Sequence, residues 1–183
     1  MKSSSRIRLL TYMALFIALY VVLEYAGMFI PFLQMPQGGS IELYWIPVFV
    51  ASYMLGWQYG VIVAVVSWVV SFILGIPMYF VKPMQILLDY IAPLVVCGLA
   101  SLYFKGKYKY YVGVTIAMVL KYVSQVLSGV YYWPPEDSVA GSSAAWIYSL
   151  GYNAWYNLAT LVVCIILVPL LMKRLEKTNL KID

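Results

Sequence analysis

Apolar residues run along this chain in long blocks separated by short polar breaks, without the strict alternation of a half-buried strand. The first block, about Ile7 to Met28, is long enough at roughly twenty residues to cross a bilayer as a helix. A break follows at Pro31-Phe-Leu-Gln-Met-Pro-Gln-Gly-Gly-Ser40, whose prolines, paired glycines and amides exclude a helix and predict a structured loop. The second block, Tyr44 to Leu55, comes just after Glu42; it is short for a span, at about twelve residues, and holds Pro47. Blocks three to six run from the Gly56–Gly60 turn to about Leu74, then from about Met84 to Phe104, Tyr110 to Tyr132 and Ala144 to Met172. The pattern predicts an all-α integral membrane protein with six transmembrane helices in one domain, residues 1–183.

Composition supports that class. Of 183 residues, 64% are hydrophobic and 10% charged, against about a quarter charged in a soluble domain. Charge then orients the chain. Lys2, Arg6 and Arg8, the Lys105–Lys109 loop, and Lys173, Arg174, Lys177 and Lys181 hold nearly all the cations. Cationic loops stay inside, so both termini are expected to be cytoplasmic and the 29–43, 75–83 and 133–143 segments to face outward; Lys82 alone among the loop cations breaks the rule. The cation distribution suggests membrane orientation and no nucleic-acid groove. The first block reads as a retained span, although Ala26-Gly27 imitates a leader cleavage site.

Several chemistries are absent. There is no histidine, and Cys97 and Cys164 sit singly in apolar runs, so no metal site or cofactor is expected. No GxSxG, HExxH or Walker-type motif occurs, which argues against an enzyme and against ATP use by this chain. What remains is a set of polar residues in apolar blocks. Asp89 stands in the fourth, where a carboxylate is costly and marks a functional site by default. In the fifth, Lys121, Gln125, Ser128 or Gly129, and Tyr132 share a helical stripe; in the sixth, Ser149, Asn153 and Asn157 do, with Tyr148, Tyr152 and Trp155 close by. Lys121 needs a counter-charge, for which both Asp89 and Glu42 are candidates.

Taken singly, each polar residue is accounted for by interhelical hydrogen bonding, and the 18 Tyr and 6 Trp partly by interfacial belts. Together they describe an outward pocket for a small, flat, partly cationic solute: rings to stack, an anion to balance charge, amides to read donor and acceptor edges. Two classes of protein fit such a pocket. One is a binding subunit energised by partners; the other is an autonomous ion-coupled carrier using Asp89 and Lys121.

The order and spacing of particular residues resemble the thiamine-specific S components (ThiT type) of energy-coupling factor (ECF) transporters. The resemblance rests on Ala14-xxx-Ala18, the Met35–Ser40 loop with Glu42 and Pro47, Gln85-Ile-Leu-Leu-Asp89-Tyr90, Lys121-Tyr122 with Ser128-Gly129 and Trp133, and Tyr148-Ser-Leu-Gly-Tyr-Asn153. It implies a multi-pass subunit of the bacterial cell membrane that captures thiamine outside. It further implies docking through Ala14 and Ala18 on one membrane scaffold and two ATPase subunits, and toppling to release the vitamin inside. By position, Asp89 would face the thiazolium or aminopyrimidine, Trp133 would stack, Tyr148 and Asn153 would line the pocket, and Glu42, Tyr79, Tyr90, Lys121 and Gly129 would contribute. Two departures stand out: the family's helix-five histidine falls at Gln125, and its frequent Glu is here Asp89. A thiamine precursor or related pyrimidine therefore competes as ligand.

Overall fold

The computed structural model describes residues 3–35 and 39–178, so Pro36, Gln37 and Gly38 of the loop, and Lys2 and Lys181, lie outside the described residues. Within them the chain is helical, its one bridge of β type joining Gln34 to Ser40. The helices are α1 (Ser3–Met28), α2 (Trp45–Leu55), α3 (Trp57–Ile73), α4 (Pro83–Ile86), α5 (Ala92–Gly98), α6 (Ala100–Tyr103), α7 (Lys109–Tyr132) and α8 (Ser143–Lys177).

Among the described residues three helices are long and apolar enough to cross a membrane: Ser5–Met28, Lys109–Tyr132 and Ser143–Lys177. The helices Trp45–Leu55, Trp57–Ile73 and Pro83–Gly98 are apolar but shorter. α8 has 35 residues, a length of about 52 Å, and reaches well past a hydrocarbon core of about 30 Å. Its Ser142 cap accepts from the Ala145 N–H at 3.3 Å, and Arg174 and Lys177 stand in its last turn, where they complement the exposed carbonyls.

α2 is the centre of the core. Every residue from Trp45 to Ser52 is buried, as expected of a helix apolar on all sides. Pro47 is tolerated because it lies in the first turn, where backbone N–H groups have no intrahelical partner. Phe49 and Val48 pack with Val63 of α3, Leu94 and Cys97 of α5, Val114 and Met118 of α7, and Cys164 and Val168 of α8. α3 and α5 cross at glycines: a Cβ on Gly98 would stand 2.6 Å from the Val61 backbone, so these helices touch through their main chains.

The fourth block departs from the single helix that its apolar run predicts. Between α4 and α5 the chain makes one wide turn of π type, Leu87–Ile91, and Leu99 separates α5 from α6. Asp89 sits within the π turn, a feature that interrupts helices mostly at functional sites.

Candidate functional site

α7 and α8 pack along each other, and their polar stripes meet in one seam. Close approach depends on Gly129, where a Cβ would stand 2.2 Å from the Ser149 hydroxyl. The Ser149 hydroxyl donates to the Val126 carbonyl at 2.8 Å, and Asn153 Nδ2 donates back to the Ser149 carbonyl at 2.9 Å. Tyr156 donates to Asn153 Oδ1 at 2.6 Å. The spacing of four along each helix puts all these groups on facing sides.

At the inner end of the seam lies Lys121, fully buried. Its ammonium reaches Glu42 Oε2 at 2.5 Å, Asn157 Oδ1 at 2.8 Å and Gln125 Oε1 at 2.9 Å, so each of its three N–H groups has an oxygen. Glu42 is held in turn: Trp45 Nε1 donates to its Oε2 at 2.7 Å, and its backbone N–H donates to Thr160 Oγ1 at 3.0 Å. Lys121 also lies 5.7 Å and 5.5 Å from the ring centres of Trp45 and Tyr156, within cation–π range. Of the two candidate counter-charges, the structure selects Glu42.

Asp89 is placed differently. Gln85 Nε2 donates to its Oδ2 at 3.2 Å, while the Gln85 oxygen is occupied by the Val81 N–H at 2.6 Å. The Ser128 hydroxyl of α7 lies beside the same carboxylate. Among the described residues the ion pairs are Lys121–Glu42 and Lys109–Glu176, and neither involves Asp89. Asp89 and Lys121 therefore form no ion pair. The π turn is buttressed by Ser124, whose hydroxyl donates to the Leu88 carbonyl at 2.6 Å. Tyr90 next to Asp89 accepts from the Tyr79 N–H at 2.9 Å and fixes the 76–82 segment.

These groups surround a cavity of about 140 Å³, room for about five water molecules at liquid density. Of the sequence candidates, Glu42, Tyr79, Asp89, Tyr90, Gln125, Gly129, Trp133, Tyr148 and Asn153 line it, and Lys121 lies beneath it. Gly39, Ser149, Tyr152 and Tyr156 complete the lining. Their signals were present in the chain: Tyr148, Tyr152 and Tyr156 form an i+4 row whose successive ring centres are 5.9 Å apart, and Ser149 continues the Asn153 stripe. Gly39 donates its N–H to the Tyr152 hydroxyl at 2.9 Å, and a Cβ there would stand 2.8 Å from the same oxygen. Trp155, expected close by, is 69% exposed and outside the lining, because two residues beyond Asn153 is the far side of the helix. Trp133 and Tyr79, 44% and 60% exposed, stand at the mouth. Counting Glu42, Lys121 and Asp89, the cavity walls carry one net negative charge.

A second cavity of about 340 Å³ adjoins across Glu42, Tyr79 and Tyr90. Glu24 of α1 lines it and accepts a hydrogen bond from the Ser71 hydroxyl. Ala14 and Ala18 lie exposed on α1.

Long apolar helices around an anionic, aromatic-walled cavity near one end define an all-helical membrane protein built to hold a small polar solute. The chain belongs to the thiamine transporter protein family (Thia_YuaJ), whose profile matches residues 10–180. It is 31% identical to the thiamine transporter ThiT of Bacillus subtilis (strain 168) over 185 aligned residues, covering 93% of each chain. It superposes on the solved structure of ThiT from Listeria monocytogenes with a TM-score of 0.73, covering 94% of this chain and 97% of that one; at 21% identity this likeness establishes the shared fold.

Proposed function

We propose that the chain is the substrate-binding subunit of an ECF-type importer, taking thiamine from outside the bacterial cell membrane and delivering it to a membrane scaffold and two ATPase subunits. In this reading residues 1–183 form one domain with six crossings and both termini in the cytoplasm. The observation that carries it is the cavity at the end of the bundle opposite the cationic 105–109 loop. There a carboxylate without a cation, Asp89, stands among the rings of Tyr90, Trp133 and Tyr148 and the amides of Gln125 and Asn153. A monocation with two small rings matches that charge and those surfaces. Family membership and the relative from Bacillus subtilis support the choice of vitamin. Ala14 and Ala18, small and exposed on α1, offer a face on which a scaffold helix can approach closely.

Titration of the purified chain with thiamine, followed by quenching of tryptophan fluorescence, tests the ligand. Saturation at micromolar thiamine or below is expected, and no response would overturn the assignment. Vesicles holding this chain with and without its energising subunits test the class. Uptake that needs those subunits and ATP is expected; uptake driven by a pH gradient across vesicles holding this chain alone would establish the carrier instead. A second ligand, a thiamine precursor or related pyrimidine, is favoured by one feature: Gln125 stands where the family usually has histidine, so the wall reads a pyrimidine edge with an amide.

A further inference from the structure

The seam between α7 and α8 determines which end of one amide faces the cavity. Lys121 is fully buried and carries three donors and no acceptor, so its neighbours must present oxygen to it. Gln125 Oε1 meets this requirement twice, accepting from Lys121 Nζ and from Asn157 Nδ2, each at 2.9 Å. Asn157 cannot reverse to relieve it, because its Oδ1 also faces Lys121 at 2.8 Å and its Nδ2 donates to the Asn153 carbonyl at 2.9 Å. Turning Gln125 over would set an NH₂ group against an ammonium and a second NH₂, exchanging two hydrogen bonds for two donor–donor contacts. The network thus assigns the orientation. The Gln125 Nε2 group is left without a partner among the described residues, on a side chain that lines the cavity.

We infer that Gln125 is a specificity-determining residue that offers the ligand a hydrogen-bond donor and no acceptor, so the site selects a solute that turns a lone pair, such as an aromatic ring nitrogen, toward this wall. Lys121 and Asn157 act through it as positioning residues. An amide locked in this way keeps its donor at every pH, unlike an imidazole, whose nitrogen exchanges donor for acceptor as it titrates. The inference rests on the proposed reading of the cavity as the ligand site.

Calorimetric titration of the purified full-length chain with thiamine, and separately with its neutral aminopyrimidine alcohol half, tests it in the wild type, Gln125→Glu and Gln125→Met. Glutamate keeps an acceptor for Lys121 and Asn157 but has nothing to donate; methionine has neither. If Gln125 donates, the neutral pyrimidine binds both variants more weakly. Glutamate is then the worse of the two, by about tenfold or more against wild type, since it sets a carboxylate against a lone pair. If Gln125 instead accepts, glutamate binds as tightly as wild type and only methionine loses, which would overturn the inference. Should wild type bind the pyrimidine half in the expected order but not thiamine, the thiamine assignment falls and the donor stands. Should it bind neither, both fall. Because glutamate preserves the Lys121 contacts, the decisive variant is also the one expected to remain folded.

Discussion

Two carboxylates enter the interior of this protein and are treated in opposite ways. Glu42 is met by an ammonium, an indole N–H and a backbone-anchoring threonine, and the ammonium's remaining donors are absorbed by Gln125 and Asn157. Among the described residues Asp89 is met by the Gln85 amide alone, with the Ser128 hydroxyl nearby but not bonded to it, and sits in a wide turn that opens on the cavity. A charge whose partners, a cation among them, are all supplied by the fold belongs to the fold. A charge left without a cation, on a cavity wall, has capacity to spend on a ligand. The difference teaches that stability and recognition are separable here, although the two carboxylates line the same cavity.

The largest effect should come from breaking the satisfied side. Lys121→Met leaves Glu42 buried without its cation, and removing one partner of a buried ion pair costs about 3–5 kcal/mol. For a chain of this size that is a fall of roughly 10 °C in melting temperature, read in detergent by loss of tryptophan signal. Adding Glu42→Gln, which still accepts from Trp45, should return part of the loss, because the uncompensated charge is gone; strictly additive losses would show that the two residues are not coupled. Asp89→Asn should do the reverse. It removes a charge that no cation balances, so the melting point holds or rises, while affinity for a cationic ligand falls by about 2 kcal/mol, some thirtyfold. A variant that melts early yet binds normally would erase the contrast.

Much of this arrangement was legible in the chain, because a helical period fixes facing positions whatever the tertiary structure. The 121–125–129 and 149–153–157 spacings meet as expected, and the same period already places Trp155 on the far face. The partner of Lys121 was not legible. Glu42 and Asp89 lie on a loop and on another helix, and periodicity within α7 says nothing about which of them comes near. The short second block was informative in its length: at eleven residues α2 is short for a span, and it lies within the core, every residue from Trp45 to Ser52 being buried. The π turn has a mark in the chain, Pro93, which offers no N–H to the Leu88 or Asp89 carbonyls and so interrupts the ladder there; what was not legible is that the Ser124 hydroxyl on the neighbouring helix holds the Leu88 carbonyl instead.

That contact gives the smallest and sharpest test of the comparison. A wide turn leaves a carbonyl out of the regular ladder, and Ser124 supplies its donor from α7 at 2.6 Å. Ser124→Ala should cost only about 1 kcal/mol of stability, the usual net worth of one hydrogen bond. Without that donor the Leu88 carbonyl has no partner, because Pro93 offers no N–H, and the turn loses its tie to α7 and is free to shift. Asp89 and Tyr90 would then no longer be aimed as the cavity requires. The expected result is a several-fold loss of ligand affinity with a small change in melting temperature, and recovery in Ser124→Thr, which keeps the hydroxyl. If alanine and threonine bind the ligand equally well, Ser124 does not aim Asp89, and the orientation of that carboxylate is set by Gln85.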